Sequence, residues 1–398
     1  MKRAFLVVID SVGIGGAPDA DQFFNGSVPD TGANTVAHIA DGCAALSRGP
    51  LRLPVMDALG LGRAVTLASG ATALGLDAEP TGAWGAATEV SRGKDTPSGH
   101  WELSGVPVPW DWHYFPDTQP AFPDDLTVKI CQAAGTGGIL GNRHASGTQV
   151  IEEEAARHIQ TGWPIVYTSA DSVLQIAAHE EHFGLDRLLK LCADLAPTLH
   201  AMRIGRVIAR PFVGSVEDGF KRTPRRRDFA IAPPSPTICD DVQAAGKPVH
   251  AIGKIGDIFS MRGIDDVRKG ADRDLMGHLG DLVDTASDGA FVFANFVEFD
   301  SEYGHRRDIP GYAGHLEWFD AALGDLLLRL RDGDLLIVTA DHGNDPSWVG
   351  TDHTRERVPV LVHGMGPRAL GLINFVDVAA TVADHLGVTH SGKGKSFL

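Results

Sequence analysis

Short apolar runs punctuate the chain, and three of them end alike. AFLVVI (4–9) runs into Asp10, FVFANFV (291–297) reaches Asp300, and LLIV (335–338) reaches Asp341. Runs of this length without polar alternation predict strands buried on both faces, as in a parallel sheet covered by helices. Between them, WFDAALGDLLLRL (318–330) and VDVAATVADHL (376–386) carry helical spacing. The pattern predicts a doubly wound α/β core. In open α/β sheets, ligand sites form beyond the carboxyl ends of the strands. Three strands that each deliver an aspartate there imply one shared site.

The middle of the chain has a different texture. From about Trp112 to Ala230 it is turn-rich, with the glycine cluster GTGGILGN (135–142) and the basic stretch KRTPRRR (221–227). Strands ending in carboxylates occur on both sides of this region. It therefore reads as an α/β cap domain, 112–230, inserted into a metal-binding catalytic core formed by 1–111 and 231–398.

Composition narrows the function classes. Hydrophobic residues make up 43% of 398 positions and charged residues 22%, as in an ordinary folded protein. The formal net charge of −16 argues against a general nucleic-acid binder, which needs a basic surface. A small phosphorylated ligand remains compatible, because bound cations can offset a negative field locally. The four cysteines have no C-x-x-C spacing, which fits a reducing compartment and gives no thiolate metal site. The opening MKRAFLVVID is too short for a signal-peptide core, and no stretch approaches the roughly 18 apolar residues of a membrane span. The expectation is a cytoplasmic protein acting on a small molecule, with no membrane or obligate protein partner.

The candidate ligands form three clusters: Asp10; Asp300 with His305 in FDSEYGHRRD; and Asp341-His342 with His353 in TADHGNDPSWVGTDHTRE. Aspartate and histidine without cysteine suit Mn²⁺, Zn²⁺ or Fe²⁺ more than calcium. Six such ligands suit two ions about 3.5–4 Å apart, the arrangement that clamps attacking and leaving oxygens in phosphoryl transfer. Each residue alone has a plainer reading: Asp10 as a helix cap, His305 as a surface loop residue, His342 as part of a turn. Their joint occurrence at strand ends favours a site. Asp345 and Asp352 are left as supporting or turn residues. In GKDTPSGHWE (93–102), Thr96 before Pro97 has the form of a helix N-cap with proline at the first helical position. A hydroxyl there could be the nucleophile, with Ser98 as a rival. GIGGAP (13–18) does not fit a dinucleotide fingerprint, and neither a P-loop nor G-x-S-x-G occurs.

Asp10 in VVIDSVGIGGAPDA, Thr96 in GKDTPSGHWE, YTSADSVLQIAAHEE (167–181), GRVIARPFVG (205–214), FDSEYGHRRD (299–308) and the 339–356 stretch together resemble the bacterial phosphopentomutases of the alkaline phosphatase superfamily. The resemblance extends from residue 4 to the terminal GKSFL. It implies an alkaline phosphatase-like fold and a di-manganese site. One ion would be held by Asp10, Asp341, His342 and the Thr96 hydroxyl, the other by Asp300, His305 and His353. It also implies a phosphorylated Thr96, which would donate to ribose 5-phosphate or its 2-deoxy analogue, form a 1,5-bisphosphate and release the 1-phosphate. A sugar 1,6-bisphosphate would act as priming activator. Ser169 and Asp171 are expected at the sugar hydroxyls. Arg206, Arg210 and Lys254, from the cap side, are candidates for the distal phosphate. Ser98 stands where the family commonly has a second threonine, and Pro97 also departs from its pattern, which bears on the local loop shape. The competing expectations are a metal-dependent phosphatase, a cofactor-independent phosphoglycerate mutase, or a sugar-phosphate binding protein without catalysis.

Overall fold

The computed structural model describes residues 2–46, 48–169 and 171–398. The chain divides into two compact units: Trp110–Ala232, and the rest of the chain on either side of it, up to Pro109 and from Pro233 on.

The larger unit is built on an eight-stranded sheet. Its strand order is Asp266–Arg268, Val249–Ile252, Phe291–Phe296, Ala4–Ile9, Leu335–Thr339, Val358–His363, Ala83–Thr88 and Arg368–Asn374. Every residue of Ala4–Ile9, Phe291–Phe296 and Leu335–Thr339 is buried, so both faces of the sheet centre are covered. This explains why those runs lack polar alternation. The register is parallel from Asp266–Arg268 through Leu335–Thr339, as the sequence predicts. Val358–His363 breaks that pattern, pairing antiparallel with both Leu335–Thr339 and Ala83–Thr88. Its start therefore lies at the edge where its neighbours end. That reversal carries residues 353–357 to the same edge as Asp10, Asp300 and Asp341.

The two predicted helices form with shifted bounds. Ile309–Leu327 begins nine residues before the predicted 318, where Asp308 caps it by accepting from Gly311 N at 2.9 Å. Phe375–Leu386 begins one residue early, and Gly387 ends it in the left-handed conformation.

The smaller unit is a six-stranded mixed sheet with helices Asp124–Ala134, Gly147–Thr161 and Leu185–Ala201. Period-2 alternation divides its strands between two apolar clusters. Leu174, Ile176, Val207 and Ala209 pack with Leu126, Ile130, Leu188, Leu191 and Leu195. Ile165, Tyr167, Ala177 and Phe212 pack with Val150, Ile151 and Ala155. Among the described residues no helix is long and apolar enough to cross a membrane.

Candidate metal centre

Four adjacent parallel strands of the larger unit deliver polar side chains at one edge. Lys254 follows Val249–Ile252, Asp300 follows Phe291–Phe296, Asp10 follows Ala4–Ile9, and Asp341 follows Leu335–Thr339. The Asp10 amide donates to Phe296 O at 3.0 Å, which fixes two of these strand ends side by side. The long segment after Asp341 doubles back through a two-residue bridge, Gly343 N to Thr354 O at 3.1 Å and Thr354 N to Gly343 O at 2.8 Å. His342 and His353 flank this bridge. Gly343 permits it, because a Cβ there would lie 2.3 Å from Glu356 Oε1.

These elements bring the six predicted ligands together. His342 Nε2 lies 3.3 Å from Asp341 Oδ2 and 3.5 Å from Asp10 Oδ1. Asp300 faces His305 Nε2 at 3.2 Å and His353 Nε2 at 3.3 Å, and those two ring nitrogens are 3.2 Å apart. The His342 and His353 rings stack at 4.0 Å between centroids, linking the two groups.

The donor set fits divalent cations on chemical grounds. Nδ1 of His305 donates to Thr351 O at 2.6 Å, Nδ1 of His353 to Lys94 O at 2.8 Å, and Nδ1 of His342 to Gly343 O at 3.2 Å. A carbonyl can only accept, so each of these nitrogens carries a proton, and the neutral form of each ring turns its Nε2 lone pair inward. Asp10 Oδ1 and Asp341 Oδ2 are buried without a hydrogen-bond partner. A buried cluster of carboxylates and imidazole lone pairs lacks only positive charge.

The ionisation pattern follows. Burial, reinforced by Asp341 and Asp300, pushes the Asp10 carboxyl well above its ordinary range. Burial acts the same way on Asp300, but His353 and His305 overcome it and hold Asp300 well below. Asp341 is likewise held down, against burial, by His342 and His100. Burial lowers His342 to about 4, which keeps its Nε2 free to ligate at neutral pH.

The hydroxyl predicted as nucleophile faces this cluster. Asp95, rather than Thr96, caps the helix Thr96–Leu103: its Oδ1 accepts from Ser98 N at 3.1 Å. Relieved of the capping role, Thr96 Oγ1 lies 3.4 Å from His342 Nε2. Ser98 is buried, and its hydroxyl donates to Asp95 Oδ2 at 3.2 Å, away from the rival role. A third group, Asp272, Glu298 and His315, also meets the spacing for a metal. Its Asp272 carboxylate is already engaged by Val297 N, Glu298 N and His315 Nε2.

Residues 2–390 match the metalloenzyme superfamily. Proteins named phosphopentomutase from Methylorubrum extorquens and Sinorhizobium fredii are 52% and 53% identical to this chain, over 100% of both partners in each case. The chain belongs to the phosphopentomutase family. It is thereby an enzyme of the isomerase class. Among solved structures, a Leishmania mexicana phosphoglycerate mutase aligns over 98% of this chain and 97% of its own, at 12% identity and a TM-score of 0.44.

Within this phosphopentomutase-family chain the expected substrate contacts divide between the units. Ser169, Asp171, Arg206 and Arg210 belong to Trp110–Ala232, where Arg206 Nη2 lies 3.5 Å from Asp171 Oδ2 and Arg210 Nε donates to Gln175 Oε1 at 3.0 Å. Lys254 does not come from the cap side. It is the exposed N-cap of Ile255–Ile258 in the larger unit, and its charge acts on Asp10.

Four further residues, not evident in the sequence, hold the predicted ligands. Asn295 donates to Asp10 Oδ2 at 3.0 Å, and Asn344 donates to Asp300 Oδ1 at 2.7 Å. His100 Nδ1 donates to Thr96 O at 2.9 Å while standing 3.0 Å from Asp341 Oδ2. Arg307 bonds Asn344 Oδ1. A usable signal existed for His100, which sits one helical turn after Thr96 and so on the same face. Asp345 and Asp352 support the loop: Asp345 Oδ2 accepts from Asn34 N at 2.9 Å, and Asp352 Oδ1 accepts from His353 N at 2.8 Å.

Proposed function

We propose that this enzyme interconverts ribose or deoxyribose 1-phosphate and the 5-phosphate through a phosphorylated Thr96. The observation that carries this reading is the Thr96 hydroxyl, 3.4 Å from His342 Nε2, at the margin of a buried acceptor cluster in which two carboxylate oxygens accept no hydrogen bond. Asp10, Asp341 and His342, with Thr96, would hold one divalent cation, and Asp300, His305 and His353 a second; Mn²⁺ is the ion we favour from the resemblance. Bound there, the ions supply neutralisation of the charge on the transferring phosphoryl group.

Thr96 stands at the first position of Thr96–Leu103, so a phosphate on it lies at the positive end of the helix dipole. His100 fixes the Thr96 carbonyl and thereby the rotation of the nucleophile turn. In the forward step the Oγ–P bond of phospho-Thr96 breaks as the sugar's O1 bonds to phosphorus, giving a 1,5-bisphosphate. The 5-phosphoryl then passes to Thr96 Oγ and leaves the 1-phosphate. Each cycle returns the phosphorylated enzyme, and a sugar 1,6-bisphosphate would prime the first one. We assign the sugar hydroxyls to Ser169 and Asp171, and the distal phosphate to Arg206, Arg210 and Lys254. The expected task of the insert is exclusion of water, which would otherwise take the phosphoryl group and turn a mutase into a phosphatase.

The test is peptide mass spectrometry after incubation with glucose 1,6-bisphosphate and Mn²⁺. The peptide containing Thr96 should gain one phosphoryl group, and T96A should gain none and lose isomerisation. An active T96A variant would refute the assignment.

A further inference from the structure

Arg307 lies in none of the ligand clusters, yet its guanidinium gathers the segments that carry one of them. Nε donates to Gly350 O at 2.8 Å. Nη1 donates to Gly304 O at 2.9 Å and to Asn344 Oδ1. Nη2 donates to Asp352 O at 2.9 Å and to Val349 O at 3.4 Å. Five acceptors match the five N–H donors of an arginine. The bonded carbonyls at 349, 350 and 352 bracket Thr351, whose own carbonyl takes the Nδ1 proton of His305. His353 follows directly. Asn344, its Oδ1 held by Arg307, points its Nδ2 at Asp300 Oδ1 at 2.7 Å.

Arg307 thus reaches Asp300, His305 and His353 through one intermediary each. The side-chain contacts of Asp10, Asp341 and His342 run instead to Asn295, Ser11 N and Gly343 O. The backbone of Arg307 itself adopts φ 56°. A non-glycine residue keeps that left-handed conformation only where its surroundings impose it, and such residues gather at functional sites.

We propose that Arg307 is the positioning residue for the Asp300–His305–His353 cation site, and that it sets the affinity of that site without touching the ion. The inference rests on the two-ion reading above. Lysine cannot substitute, because its three donors radiate from one atom and cannot span five acceptors on three segments.

The experiment titrates Mn²⁺ into chelator-treated, full-length wild type, R307A and R307K, following free ion by its electron paramagnetic resonance signal. Wild type should take up two ions per chain. R307A should keep one with unchanged affinity and bind the other 10–100-fold more weakly, the usual effect of removing a residue that orients ligands. Guanidinium ion, added below denaturing concentration, should restore the weakened site, which no merely structural loss would allow. The Mn²⁺ concentration for half-maximal isomerisation should rise by the same factor. If the alanine variant does not fold, R307K gives the same selective loss of affinity, read without the guanidinium step. Equal weakening of both ions, no weakening, or failure of guanidinium to restore the site overturns the proposal alone. Fewer than two ions in wild type overturns it together with the two-ion reading.

Discussion

At position 99 nothing larger than hydrogen fits. A Cβ there would lie 2.1 Å from Asp341 O, so helix Thr96–Leu103, which carries the proposed nucleophile, meets the Asp341 backbone at van der Waals limits. G99A must push them apart, at about 1–3 kcal/mol for overpacking. Because a displacement near 1 Å costs about a hundredfold in rate, we expect kcat to fall about 100-fold while the chain stays folded, checked by steady-state kinetics and circular dichroism. The aspartates after strands were readable only together, because three apolar runs are each followed by one within three residues. Asn295, Asn344 and Arg307 were not, since their meaning lies in partners far away in sequence: Asn295 serves Asp10 across 285 positions. The cap assignment shows a different failure. Threonine and aspartate both cap helices well, and DTP in sequence does not say which of the two takes the amide.

At the scale of elements, the reversed strand Val358–His363 matters most, because it returns the 341–357 segment to the site edge. Its direction was illegible. A fully buried run reads the same in a parallel or an antiparallel ladder. The returning segment is anchored by His38 on helix Thr35–Ala45, whose Nδ1 lies 2.5 Å from Asp345 Oδ2. The hydrogen bond and charge of Asp345 raise the pKa of His38 against its burial. A histidine whose proton is held more tightly in the folded state stabilises it fully below the ordinary value near 6.5, and the contribution disappears as pH rises through the folded value. Denaturant unfolding should therefore show stability falling by up to about 1 kcal/mol above neutrality. H38Q should flatten that slope.

A second anchor lies at the opposite edge. Arg3 is wholly buried, donating to Asp334 Oδ1 at 2.9 Å, to Asp334 Oδ2 at 2.5 Å and to Val283 O at 2.8 Å. It locks the starts of the two central strands. R3M leaves a buried carboxylate unpaired and should cost about 3–5 kcal/mol in urea unfolding. The proposed ligands lie at the other end of these strands, so Mn²⁺ stoichiometry should be retained.

At the scale of the molecule, the fold class was legible because unbroken apolar runs and helically spaced segments follow one another along the chain. The insert lacks that clarity. Its strands alternate between two apolar clusters, and its segments are broken by glycine-rich turns. On the two-ion reading, cations bound at the acceptor-rich centre should also stabilise the whole fold. An ion that binds only the folded chain stabilises it by about 2.7 kcal/mol when present at a hundred times its dissociation constant. Chelation should therefore lower the unfolding midpoint measured by calorimetry, and Mn²⁺ should restore it.

A mutase of the proposed kind conserves the phosphoryl group within the enzyme. The direct measurement is conversion of ribose 1-phosphate to ribose 5-phosphate with Mn²⁺ and a trace of sugar 1,6-bisphosphate, with inorganic phosphate followed in the same reaction. Isomerisation with no matching phosphate release, abolished by chelation, is the expected result. Phosphate release without isomerisation would contradict it, and would make the same constellation a phosphatase.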